Sequence, residues 1–174
     1  MKHRRTFLFF LLVVGLFDTG CVAEQGIDKR KFAPALRTAR ELQTSLTKSP
    51  PCDIPEAMLR SLVAETEALK TMTASPAEKK VVLALSGLIT TYQDGALLCG
   101  ARGRMSDFTF VPKGRIHVFQ DLEPVIRKYD LPIERHVYAP TGAAWKSISV
   151  DSIGVIWENA ESRLRDIENM VNYS

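Results

Sequence analysis

The sequence predicts a mainly α fold, a helical bundle of about four main helices in which two form an antiparallel hairpin stapled by a disulfide. Three observations predict it. Four stretches place apolar residues at spacings of three and four. Two of those stretches meet at a short, capped loop. A cysteine stands at each far end of that pair, Cys52 and Cys99. Residues 24–174 are expected to form a single helical domain, long enough to bury a core of its own.

The N-terminus reads as an export signal. Lys2, Arg4 and Arg5 precede residues 6–17, which are uncharged and almost wholly apolar. That length fits the apolar core of a signal peptide and falls short of the ~20 residues a membrane span needs. Two cleavage sites compete within residues 1–23. "DTGC" resembles the bacterial lipobox in its small Thr19 and Gly20 ahead of Cys21, and departs from it at Asp18, where an apolar residue is usual. A cut before Cys21 implies a lipid anchor on that cysteine and attachment to a membrane. A cut after Ala23 uses Cys21 and Ala23 as the two small residues of a soluble-release site. The expected location is therefore exported, either periplasmic or membrane-anchored.

Helical residues 28–47 come next, with Phe32, Leu36, Ala39, Leu42 and Leu46 on one stripe and Pro34 near the start. "KSPPC" breaks the chain. A second helix, capped by Cys52 or Asp53 with Pro55 in its first turn, runs to about Thr73 behind the stripe Leu59, Leu62, Val63, Thr66, Leu69 and Met72. "TASPAEKK" then offers Ser75 as N-cap, Pro76 at the first helical position and Glu78 to complete a capping box. The following helix carries Val82, Leu85, Ile89, Tyr92 and Ala96, and Gly100 is expected to stop it just after Cys99. Two such helices span roughly 30 and 36 Å, so their far ends fall together. A Cys52–Cys99 bond closing that loop contributes about 4 kcal/mol on the chain-entropy view.

Residues 100–148 give weaker patterns. "DFTFVPKGRIHVFQ" reads as a small β-hairpin near 107–119, or as a helix bearing Ile116, Phe119 and Leu122. "LEPVIRKYDLP" is a short helix between two prolines, and "YAPTGAAWKS" a loop. The last helix has Ser149 as its cap and a long stripe of Val150, Ile153, Ile156 or Trp157, Ala160, Leu164, Ile167 and Val171.

Charge and cysteine usage narrow the function classes. Residues 1–23 hold three of the 23 Lys/Arg and one of the 20 Asp/Glu, so the remainder has 20 basic and 19 acidic residues, a net of +1. Without a basic footprint, binding to nucleic acid is not expected. Either cut leaves Cys52 and Cys99 as an even pair, and no C-x-x-C occurs to support redox chemistry or covalent haem.

No catalytic residue, metal ligand or cofactor is expected from the motifs. His117 and His136 stand 19 residues apart with no cysteine or carboxylate pair at ligand spacing. Ser86 in "ALSGL" is mid-helix and lacks the G-x-S-x-G context. Glu65/Glu67 and Glu158/Glu161 read as solvated helix faces. The stretch 100–119 stands out for its local basic excess, Arg102, Arg104, Lys113, Arg115 and His117 against Asp107, interleaved with Phe108, Phe110 and Phe119. It is the expected partner surface. The leading expectation is a non-enzymatic binding or assembly module of the bacterial envelope, meeting a protein partner or an anionic envelope component. The alternative is a periplasmic enzyme or enzyme inhibitor, which requires His117, Glu134, His136 and Tyr138 to converge. A self-associating structural bundle is a third reading, and would show an apolar face on the C-terminal helix.

Overall fold

The computed structural model describes residues 26–49, 51–103 and 111–173. These form helices α1 (Lys29–Lys48), α2 (Glu56–Met72) and α3 (Pro76–Gly103), strand β1 (Arg115–His117), helix α4 (Glu123–Lys128), strands β2 (Glu134–Tyr138) and β3 (Ala143–Ser149), and helix α5 (Gly154–Asn172). The expected signal segment with Cys21, together with Arg104, Phe108 and Phe110, lies outside the described residues.

The helical stripes become the core, except that Met72 at the end of the α2 stripe is exposed. Phe32, Leu36, Ala39, Leu42 and Leu46 of α1 are all buried, as are Ile156, Trp157, Ala160, Leu164, Ile167 and Val171 of α5. Asp28 caps α1 by accepting a hydrogen bond from the Arg30 N–H at 3.1 Å. Ser149 accepts from the Asp151 N–H at 3.2 Å and caps a 3-10 turn, Val150–Ile153, that runs straight into α5. The Ser75 hydroxyl accepts from the Glu78 N–H at 3.1 Å, as the capping box requires. The Glu78 carboxylate does not return to the Ser75 N–H as the motif has it, but bonds elsewhere. It accepts from the Ala74 N–H at 3.2 Å, from Lys31 Nζ at 2.9 Å and from the Asp28 N–H at 3.4 Å, tying the start of α1 to the start of α3. Lys31 holds this carboxyl below its ordinary range against the opposing effect of burial.

Two helix ends differ from expectation. α2 starts at Glu56 with Pro55 as an N-cap that makes no side-chain bond, not at Cys52 or Asp53. Proline disfavours helical backbone in the residue before it, so the chain stays out of the helix through Ile54. α3 does not stop at Gly100 but continues to Gly103. Ala101 is wholly buried, and its packing holds the next turn helical past a glycine that has no steric reason to leave the helix.

The strands also differ. β1 falls within the expected hairpin near 107–119, but its described partner is β3, and the sheet order is β1-β3-β2 with both pairs antiparallel. The hairpin of the structure is β2–β3, so "YAPTGAAWKS" is a turn followed by the first part of a strand and not a loop throughout. Gly142 makes the turn possible. It has φ +71, and its N–H donates to the Tyr138 carbonyl at 2.8 Å. Gly114, at φ +80, does the same before β1. Ile116 and Ile148 point from the sheet into the core and are fully buried.

α3 is the central helix, packed by α2, α5 and β1. By length and composition Pro76–Arg102 is apolar enough to cross a membrane, but half of that window is buried inside the domain, as in a core helix. Gly87 and Gly95 lie on its α5 side. A Cβ on Gly95 would come within 2.1 Å of the Trp157 ring. The indole is thus seated directly on α3 backbone. Around it, Trp157 Nε1 donates to the Pro51 carbonyl at 3.0 Å, and Gln43 Nε2 donates to the Trp157 carbonyl at 3.0 Å. The Tyr92 hydroxyl donates to Gln43 Oε1 at 3.0 Å, and burial pushes its phenol pKa upward. Pro51 is carried by the next residue, because Cys52 is bonded to Cys99 with 5.1 Å between their Cα atoms.

Gly95→Ala is expected to cost about 3 kcal/mol or more by overpacking a rigid ring, whereas Gly87→Ala meets only the flexible end of Arg163 at 3.3 Å and should change stability by under about 1 kcal/mol. Adding Trp157→Leu to Gly95→Ala should recover part of the loss in urea denaturation, since the two sites are in contact. Equal costs at Gly87 and Gly95 would contradict this packing. Reduction of Cys52–Cys99 should lower the melting temperature without immediate unfolding, and should alter Trp157 fluorescence through Pro51. Full reaction of both cysteines with a thiol reagent in native, unreduced protein would rule the staple out.

Candidate functional site

Antiparallel pairing puts opposed residues on one side of a sheet. Arg115 faces Ser149, His117 faces Ser147, Glu134 faces Ser147 and His136 faces Trp145. The outer face therefore carries Arg115, His117, Glu134, His136, Tyr138, Trp145, Ser147 and Ser149, while Ile116 and Ile148 take the inner one. The four residues that an enzymatic site would need, His117, Glu134, His136 and Tyr138, do share a face.

Aromatic and imidazole rings line up across it. Phe119 meets His117 edge-on with centroids 4.7 Å apart. His117 stacks with Trp145 at 5.9 Å and 15°. Trp145 stacks with His136 at 4.1 Å and 24°. His136 Nε2 lies 2.8 Å from the Ser147 hydroxyl, one donating to the other according to the imidazole tautomer. Ser147 is fully buried. Arg115, from β1, reaches across β3 to pair with Glu134 of β2 and holds that carboxyl below its ordinary range. His117 Nδ1 is buried with no hydrogen-bond partner among the described residues, and burial lowers the pKa of the ring.

The basic segment expected as a partner surface is divided by the structure. Arg115 and His117 are on the outer sheet face. Lys113 is exposed in the turn before β1, and Arg102 is exposed in the last turn of α3. Arg104 lies outside the described residues. Trp145 and Ser147, which complete the ring row and its hydrogen bond, were not singled out by sequence reasoning. Their signal is the alternation of Trp145, Ser147 and Ser149 against Ile148 and Val150.

Elsewhere the polar groups mostly serve packing. The Ser86 hydroxyl donates to the Val82 carbonyl at 3.0 Å inside its own helix. Glu67 pairs with Lys70 at 2.5 Å. Glu65 Oε1 accepts from Thr38 at 3.1 Å and from Ser61 at 3.4 Å. Among the described residues no group of three or more His, Cys, Asp or Glu side chains is placed to share a metal ion. Compared with known proteins, the chain matches no family model, no curated protein and no solved structure.

His117 generates a pH prediction with a definite sign. Its folded pKa lies below the ordinary value of 6.5, so the unfolded chain takes up the proton first. Stability should be unaffected by His117 well above that value and should fall as pH drops below it. His117→Phe keeps the ring packing and removes the proton. Its melting temperature should therefore decline less than the parent's between about pH 7.5 and 5.5. Parallel curves would mean that the imidazole is as well solvated in the folded protein as in the unfolded one.

Proposed function

We propose that this chain is an exported, non-enzymatic binding or assembly module of the bacterial envelope, and that it contacts a protein partner through the outer face of its sheet. The observation that carries the reading is the ring row Phe119–His117–Trp145–His136, set among exposed charged side chains on a sheet that a disulfide-stapled bundle holds in place. Aromatic and imidazole rings in a fixed row offer large contact area at little conformational cost. The basic n-region and apolar run at the N-terminus support export, and the disulfide accords with an oxidising compartment. Attachment to a membrane through an acylated Cys21 is part of the same proposal.

The enzymatic alternative draws support from the His136–Ser147 contact. Two features weigh against it. Ser147 is closed to solvent, and Glu134 is engaged by Arg115 instead of orienting an imidazole.

Photo-crosslinking in the native host tests the proposal. A photoreactive aromatic residue placed at Lys113 or Trp145 is expected to yield a discrete protein adduct. The same residue at Leu83, which is 74% exposed on α3, is expected to yield none. The intact mass of this protein, purified from the same host without crosslinking, should begin at Cys21 with acyl groups or at Glu24. A full-length mass in the cytoplasmic fraction, or identical adducts from all three positions, would overturn the reading.

A further inference from the structure

We propose that the outer edge of β2, which pairs with no strand among the described residues, is a strand-addition site for an extended polypeptide segment that presents a carboxylate flanked, two residues to either side, by apolar side chains. The inference rests on the sheet being the binding element of the protein.

The hydrogen-bond register identifies that edge. The Val118 N–H donates to the Lys146 carbonyl and the Val150 N–H to the Gly114 carbonyl, each at 2.9 Å. Residues 146, 148 and 150 therefore turn their backbone groups toward β1. In an antiparallel sheet the intervening residues turn theirs the other way. Ala143, Trp145 and Ser147 accordingly serve β2, where they face Tyr138, His136 and Glu134. Arg135 and Val137 are left with their N–H and C=O groups directed outward. Among the described residues, β2 lies at the end of the sheet order and makes its substantial element contacts with β3. An edge of this kind is a template for another strand.

The side chains beside that edge indicate what it takes. Arg135 and Val137 share the inner side of the sheet with their opposed partners Lys146 and Ala144. Arg135 and Lys146 are like charges placed directly opposite each other, an arrangement that destabilises a sheet. Lys146 is drawn to Glu123, 3.1 Å away, and Arg135 has no acidic partner among the described residues. Val137 is 68% exposed and Ile133, just before the strand, 42%. An incoming strand with a carboxylate opposite Arg135 supplies the missing charge. Apolar residues two positions to either side then cover Val137 and Ile133. A second copy of this chain, paired antiparallel about His136, sets Arg135 opposite Val137 and offers no carboxylate.

The test uses the purified, disulfide-intact protein and the acetylated, amidated peptide Thr-Val-Thr-Glu-Thr-Val-Thr, with a lysine replacing glutamate as control. Amide hydrogen exchange at Arg135 and Val137 should slow by about tenfold or more at saturating peptide, while exchange at His136, already bonded to β3, should change little. The lysine peptide should bind at least about tenfold more weakly. Val137→Pro removes an outward N–H that the sheet does not use. It should abolish binding with little change in melting temperature. Should that variant fail to fold, Arg135→Glu must instead reverse the preference between the two peptides.

Unchanged exchange at Arg135 and Val137, equal binding of both peptides, or protection that grows with protein concentration without peptide overturns the inference. The last of these outcomes would assign the edge to a second copy. A partner crosslinked at Trp145 whose capture is indifferent to Val137→Pro and Arg135→Glu leaves the module reading standing and removes only strand addition. Peptide on the edge with no partner at Trp145 does the reverse.

Discussion

The contact on which the rest of the structure depends is the Trp157 ring lying on α3 at Gly95. A side chain of any size at position 95 is incompatible with it, because a Cβ there would sit 2.1 Å from the ring. Four parts of the chain meet at this indole. α5 supplies it and α3 receives it. α1 donates through Gln43 to the backbone carbonyl of Trp157, and the α1–α2 connection accepts the indole N–H through the Pro51 carbonyl. Each of those polar groups is buried or half-buried, so leaving any one unpaired costs its full desolvation. The disulfide acts on the same point, since Cys52 follows Pro51 directly. The staple thus closes the α2–α3 hairpin and also fixes the carbonyl that the indole needs.

That arrangement explains how a small sheet can be held by a helical bundle. β3 leads through a single 3-10 turn into α5, and Ile148, Val150, Ile153, Ile156 and Trp157 are buried in succession along that path. β3 is therefore anchored at its C-terminal end, where it joins this core segment. β1 is secured by fully buried Ile116 and by its pairing with β3. The five residues of β2 are exposed except for half-buried His136. The sheet grades from a core strand to a solvent strand within three neighbours. The residues with the most varied chemistry lie toward the solvent end.

The helical part of this fold was legible because its determinants are local. A stripe at spacings of three and four, a serine before a proline, and an aspartate before a basic helix each decide their own element without reference to the rest of the chain. The misjudged ends have a different cause. At Gly100 a local stop signal is overridden by burial of Ala101, which only the assembled core reveals. At the start of α2 the constraint of Pro55 on Ile54 outweighs the capping capacity of Asp53. The hairpin was missed for a third reason. β2 and β3 are short, and Pro140 and Thr141 between them resemble any surface loop, so pairing is specified mainly by the register of Ile148 and Ser147 against a distant β1. The candidate site was partly legible for the same reason. Arg115 and His117 attract notice through local charge, but Trp145, Ser147 and the opposition of Arg135 to Lys146 exist only once three separated segments are aligned.

Electrostatics separate the two halves of the molecule further. In the bundle, the charged side chains pair across elements. Lys31 meets Glu78, Arg40 meets Glu168, and Lys128 meets Asp94. An exposed pair such as Arg40–Glu168 contributes under about 1 kcal/mol and refines geometry that the apolar core already sets, whereas Glu78 is buried and ties two helix starts together. On the sheet the same residue types leave imbalance. Glu134 serves Arg115 and Glu123 serves Lys146, which leaves Arg135 without a carboxylate among the described residues. A domain with a net charge near zero after its first 23 residues has no strong overall field to draw a partner in. Recognition in such a protein depends on short-range features, and this sheet concentrates three of them. It has a row of rings on one side, a guanidinium with no acidic partner among the described residues on the other, and two residues whose backbone groups face outward between them. Local conflicts that packing does not resolve are where binding energy is available, because a partner that resolves them gains what the isolated fold forgoes.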